Sequence, residues 1–202
     1  MPSPFYTLVG VMSWPVAKLL FRLRAHGQEH LPKGGYVLAA NHASNFDPWP
    51  LGMPLFPRRW LRFMAKNELF NPILGPLLKA GGAFPVRRGE MDHGAVETAV
   101  RLAREGEIVV MFPEGTRQKK GLRKKFQPKP HTGAARIALA ADVPLVPAAI
   151  GGTDRLARLG PWRVAYGPPI QVDDLNELIP REAAQVATER LMGEIRRLQT
   201  TL

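Results

Sequence analysis

IVVMFPEGTR, residues 108–117, joins an unbroken apolar run to a short polar one. Its first five residues show no polar alternation, the pattern of a strand buried on both faces in a parallel sheet. Proline and glycine then turn the chain, and an arginine follows. Helical periods lie on either side. Upstream, residues 91–105 put Val96, Ala99, Val100 and Ala103 on one side and Glu97, Arg101 and Arg104 on the other, and Gly106 closes the helix. Downstream, GAARIALAA (133–141) predicts a helix and PLVPAAI (144–150) another buried strand. YVLAA (36–40) reads as a buried strand; LRFMA (61–65) and GAFPV (82–86) are shorter candidates, the second carrying Pro85. A last helix starts near Pro180, with Ala184, Ala187, Leu191, Ile195 and Leu198 at helical spacing. This alternation specifies a single α/β domain with a mixed, largely parallel central sheet flanked by helices. The chain holds no internal repeat, no low-complexity tract and no linker long enough to divide it.

The 202 residues carry a formal net charge of +11 and 45% hydrophobic content. A globular domain of that charge attracts nucleic acid, an anionic membrane surface or phosphate-bearing substrates. There is no cysteine, which excludes disulfides, thiol chemistry and cysteine-based zinc sites. His26 and His30 are the one histidine pair at helical spacing, and no third ligand accompanies them, so no metal site is expected. Residues 5–23, FYTLVGVMSWPVAKLLFRL, approach spanning length but contain Pro15 and Lys18. After Pro15, Val16, Leu19, Leu20 and Leu23 share a helical face, with Lys18 and Arg22 on another. The pattern describes an amphipathic helix, packed on the domain or lying in a membrane interface. Tyr6, Trp14 and the flanking cations favour the interface.

NHASNFDP, residues 41–48, follows the first strand directly. His42 and Asp47 would sit about 140° apart around a helix, so they meet only if the segment turns. Asp47 before Pro48 is a good helix start, with aspartate as N-cap and proline at the first helical position. The same aspartate could bond one imidazole nitrogen of His42 while the other faces a cleft, which would fix the tautomer and support a general base. Ser44, two residues from the histidine, suits a turn hydrogen bond better than nucleophilic attack. FPEGTR, residues 112–117, ends the strongest strand, at the edge where open α/β sheets gather ligands. Gly115 permits close backbone approach, Thr116 can donate, and Arg117 offers a planar fork suited to phosphate. Lys66, Arg87 and Arg88 stand beyond two other strands, and together these cations suggest an anion site.

In order, NHASNFD, GGAFPVR, FPEGTR and VPLVPA resemble the four sequence blocks of the glycerolipid acyltransferase family, which includes bacterial lysophosphatidate acyltransferases. The resemblance spans residues 35–150. It implies His42 as general base, Asp47 as its orienting partner, Glu114 and Gly115 supporting the substrate site, and Arg87, Arg117 and Lys66 contacting the acceptor phosphate. It implies no metal or bound cofactor, an acyl-CoA or acyl carrier protein as donor, and acyl transfer to the hydroxyl of lysophosphatidate in phospholipid synthesis. Residues 1–30 then form a membrane-associating segment, and 31–202 the acyltransferase domain, peripheral on the cytoplasmic face of the cell membrane. The chain departs from the family pattern at Pro85, at Gln118 and at His131, where a lysine is usual. These positions bear on the acceptor more than on the reaction, and another lysolipid or polar-lipid hydroxyl is the alternative. RQKKGLRKKFQPK, residues 117–129, has seven cations and no acid. It carries a single aromatic, Phe126, and no nucleic-acid recognition module, so a headgroup- or donor-attracting loop is expected and a nucleic-acid partner is not. A non-catalytic basic membrane-binding protein is the remaining reading.

Overall fold

The computed structural model describes residues 3–87, 92–115 and 130–202. Among the described residues seven strands form one sheet: β1 (Arg24–His26), β2 (Tyr36–Ala40), β3 (Leu61–Lys66), β4 (Ala83–Val86), β5 (Ile108–Met111), β6 (Leu145–Gly151) and β7 (Arg163–Tyr166). Their order is β1-β7-β6-β2-β5-β3-β4, with every pairing parallel except β6 with β7. The strand expectations hold. Every residue of β2 is buried, as the unbroken apolar run requires of a central strand covered on both faces.

Period-two alternation assigns the two cores. Val37, Ala39, Val109 and Leu145 face a layer made by α4 (His93–Arg104), α5 (Gly133–Ala141) and α6 (Pro180–Gln199). Tyr36, Leu38, Ala40, Ile108, Val110 and Val146 face the opposite way, against Ala17, Phe21 and Leu23 of the amino-terminal segment and Leu51 of the short helix α2 (Pro48–Gly52). Asp92 caps α4 by accepting from the Ala95 amide at 3.0 Å, and Gly106 leaves it at φ +89°. Two elements had no clear signal in the sequence, the three-residue β1 and the four-residue β7; a helix α3 (Leu74–Ala80) also went unread.

The amino terminus departs from expectation. Helix α1 spans Pro4–Pro15, begins on Ser3, whose Oγ accepts from the Tyr6 amide at 3.0 Å, and runs through Pro15 into a wide π turn at Val16–Leu20. Pro15 stands at the end of α1, where the helix is already changing its hydrogen-bond spacing, so the missing N–H is tolerated. Of the apolar face expected after Pro15, Val16, Leu19 and Leu20 lie exposed in the π turn and Leu23 does not join them. Leu23 is 3% exposed and Leu19 79%, because Arg22 at φ +46° turns the chain out of the helix between them. Among the described residues no helix is long and apolar enough to cross a membrane.

Candidate active site

The carboxyl ends of β2, β5 and β6 lie side by side, and each contributes to one cluster. As β2 ends, Asn41 bonds both backbone groups of Ile150 on β6: its Nδ2 donates to the carbonyl at 3.0 Å and its Oδ1 accepts from the amide at 2.8 Å. The side chain thus continues the β2–β6 ladder while the main chain turns away. Ser44 then makes the turn, its Oγ accepting from the Phe46 amide and its carbonyl from that of Asp47. This is the role the sequence suggests for it.

Asp47 does stand ahead of Pro48 at the start of α2, but its side chain does not cap the helix. The carboxylate points back into the turn instead. Oδ2 accepts from His42 Nδ1 at 2.8 Å, from the Ala43 amide at 2.7 Å and from the Ser44 amide at 2.9 Å; Oδ1 accepts from Thr153 Oγ1 at 2.6 Å. The residue is 0% exposed. A buried carboxylate without partners is prohibitively costly, and four donors meet what an ionised group, an acceptor only, requires. With Nδ1 donating to Asp47, the lone pair of His42 resides on Nε2, to which no described residue is bonded. The imidazole stacks on Phe112 with centroids 4.3 Å apart, so the ring is held on one edge by a bond and on one face by packing.

Glu114, from the turn after β5, accepts from the backbone amide of His42 at 3.2 Å. Burial is the main influence on its carboxyl and raises its pKa; the His42 amide bond and imidazole work against this, and the Asp47 charge works with it. Gly115 has φ +68°, and a Cβ there would lie 2.4 Å from the His131 ring. Glycine is therefore dictated twice, by dihedral and by space. Its amide is bonded to the Phe112 carbonyl at 3.0 Å. Backbone amides in such a turn or at a helix start are the usual donors to a developing oxyanion. Gly115 is occupied in its own turn; at α2, Pro48 and Pro50 have no N–H, and the Trp49 and Leu51 amides bond Phe46 and Asp47 carbonyls.

Beside this cluster lies a cavity of about 360 Å³. Phe5, Tyr6, Val9 and Gly10 of α1 form one wall; Asn45, Phe46, Trp49, Met53, Phe56 and Phe63 form the other. Gly10 lies against Phe56, where any Cβ would fall 2.3 Å from the ring.

A family model described as Acyltransferase matches residues 22–151. The chain belongs to the acyltransferase family. It is 34% identical over 185 residues to the 1-acyl-sn-glycerol-3-phosphate acyltransferase of Bacillus subtilis (strain 168), covering 89% of each chain. The protein of the same name from Streptococcus pneumoniae is 28% identical over 205 residues, 96% of this chain and 73% of that one. The crystal structure of the 1-acyl-sn-glycerophosphate (LPA) acyltransferase PlsC from Thermotoga maritima superposes with a TM-score of 0.68 over 96% of this chain and 78% of that one. At 23% identity that likeness concerns the fold.

In this O-acyltransferase, then, the predicted residues His42, Asp47, Glu114 and Gly115 come together. Lys66 and Arg87 end β3 and β4 on the same sheet edge, two and three strands from β2, or about 10 and 14 Å at ordinary strand spacing. Both are exposed, and the Arg87 amide donates to Asp92 Oδ2. Thr116, Arg117, Arg88 and the basic stretch 117–129 lie outside the described residues. His26 and His30 turn to different partners, Thr201 and the Tyr166 carbonyl, and among the described residues no three acidic or histidine side chains form a metal-holding group. Thr153 and Asn41 were missed. Asn41 adjoins the motif and Thr153 follows the last block, yet neither carries a signal by itself, because their partners lie 109 and 106 residues away.

Proposed function

We propose that the protein transfers a fatty acyl group from an acyl thioester to the free hydroxyl of lysophosphatidate, forming phosphatidate. His42 Nε2 takes the hydroxyl proton as the oxygen attacks the thioester carbonyl. The tetrahedral adduct collapses with cleavage of the C–S bond, and the proton passes from His42 to the departing thiolate. Asp47 holds the imidazole in the reactive tautomer and balances the imidazolium while it exists. Glu114 fixes the backbone of His42, and Lys66 and Arg87 hold the acceptor phosphate. The apolar cavity beneath α1, whose volume lies within the range of small-molecule sites, receives an acyl chain. Acyl-CoA or an acyl carrier protein is the donor; no bound cofactor takes part. Helix α1 and the basic surface keep the enzyme at the cytoplasmic face of the membrane, where the acceptor resides.

The observation that supports this reading most directly is the fully buried Asp47 carboxylate with four donors, one of them His42 Nδ1 at 2.8 Å. Transfer assays with wild type and His42→Ala, on lysophosphatidate and other lysolipids with both donors, test it. The variant should stay folded and lose turnover by a factor of roughly 10² to 10⁴. Survival of activity in His42→Ala would overturn the mechanism, and preference for an uncharged acceptor would overturn the substrate.

A further inference from the structure

The segment leading into α3 turns its apolar side outward. In NELFNPILGPLLKA, residues 67–80, Gly75 is the buried position, packed on the Phe70 backbone, while Ile73 is 91% exposed and Leu77 49%. Four residues apart, these two project from the same side. Leu69, Pro72 and Pro76 are exposed as well. Isolated surface leucines are ordinary, but Leu69, Ile73 and Leu77 exposed at four-residue intervals in one short segment, with Leu74 and Leu78 half-buried behind them, mark a contact surface.

What covers it follows from its neighbours. Ser3 Oγ, which caps α1, donates to the carbonyl of Ala80 at 2.6 Å and so joins the start of α1 to the end of α3. From that junction α1 carries Leu8, Val11 and Met12, all exposed. Gly81, directly after α3, lines the apolar cavity, whose walls include the exposed Val9 and Phe46. Lys66 and Lys79 flank the α3 segment, against one acid, Glu68, and Lys18 stands 5.7 Å from the Trp14 ring. Apolar groups edged by lysine suit an anionic bilayer. A protein partner seated here would obstruct the cavity that lipid substrates must enter, whereas a leaflet would supply them.

We propose that Ile73 and Leu77 insert into an anionic leaflet as a second membrane contact beside α1, an inference that rests on the lipid-acyltransferase reading. The absence of cysteine makes Ile73→Cys a unique labelling position in the full chain. With a nitroxide there and vesicles of phosphatidylcholine and phosphatidylglycerol, oxygen should relax the label more strongly than a water-soluble nickel chelate. The same label at Glu97→Cys, exposed on α4 in the opposite layer, should show the reverse. Ile73→Ser with Leu77→Ser should lower vesicle partition at least tenfold and leave transfer to a dispersed short-chain acceptor unchanged. A label at position 73 as open to the chelate with vesicles as without them, or one shielded by raising protein concentration alone, overturns the proposal; the latter would make the face a contact between copies. Label depth and partition require no turnover. Inactivity of a protein that still inserts would therefore count against the acyl-transfer reading and not against this one.

Discussion

Thr153→Val isolates one bond in the cluster. The threonine is 0% exposed, its Oγ1 lies 2.6 Å from Asp47 Oδ1, and it is the only described side chain bonded to that oxygen. Valine has nearly the same shape, so no cavity forms and the loss is that of a hydrogen bond to a charged acceptor, about 1.5–3 kcal/mol. At about 2–4 °C per kcal/mol for a domain of this size, a loss near 2 kcal/mol lowers Tm by roughly 4–8 °C. Catalysis is affected through His42. An Asp47 held by its Oδ2 bonds alone presents that oxygen less rigidly when the imidazolium forms, and if about half the lost energy is felt there, kcat falls roughly fivefold. Thr153 is a positioning residue, behind the carboxylate from His42, so KM for the acceptor stays where it is. Thr153→Ser restores the hydroxyl and should recover both Tm and kcat. Thermal unfolding and steady-state kinetics on the three proteins check this. A valine variant with wild-type kcat and Tm, or a serine variant as impaired as valine, would refute the reasoning.

Asp47→Asn should fold, its amide oxygen turned toward the three donors on the Oδ2 side and its NH₂ toward a Thr153 hydroxyl now accepting, while kcat drops by two or more orders of magnitude for want of the charge; a kcat within tenfold of wild type would show that the charge is dispensable. Glu114→Gln tests the burial of a carboxyl: a folded-state pKa raised above the unfolded one makes ionisation cost stability at neutral pH, so the variant should melt higher than wild type at pH 7, with the gap closing as pH falls through the carboxylate range. A glutamine variant less stable at pH 7 would show that the bond from the His42 amide outweighs desolvation. Gly115→Ala forces a left-handed alanine against the His131 ring and should cost about 1–2 kcal/mol, visible as a lower Tm; an unchanged melt would mean that the turn relaxes freely.

The sequence made the sheet legible because its central strands are buried on both faces. IVVM, YVLAA and LVPAAIG sit in the interior of a mostly parallel sheet covered on both faces, where no polar alternation is allowed. RAH and RVAY escape that reading for another reason: RAH is a three-residue, largely exposed edge strand and RVAY, buried beyond Arg163, has only four residues, so neither is long enough to show a period and their pairing is fixed by tertiary contact alone. Asp47 shows a local rule overridden. Its position before proline is a good capping signal, but an N-cap bond satisfies one helix amide, whereas the turn offers its carboxylate two amides, an imidazole and a distant hydroxyl. His42 and Asp47 were readable as a pair because five residues separate them. Thr153 was not, because sequence spacing holds no information about which strand end meets which.

That distance in sequence explains how the fold and the site are coupled. His42 comes from β2, Glu114 from β5 and Thr153 from β6, so the cluster exists only in the observed strand register. A shift of β6 along β2 by one residue moves Thr153 by about 3.3 Å, which takes a 2.6 Å contact well beyond hydrogen-bonding reach. Asn41 opposes such a shift at the point where it would matter, since its amide bonds both the N–H and the C=O of Ile150, three residues before Thr153. Replacing Asn41 with alanine would leave two buried backbone groups unpaired beside the site, each costing about 1–3 kcal/mol. The bonds that close the central ladder are therefore also the ones that hold the histidine's carboxylate partner in place.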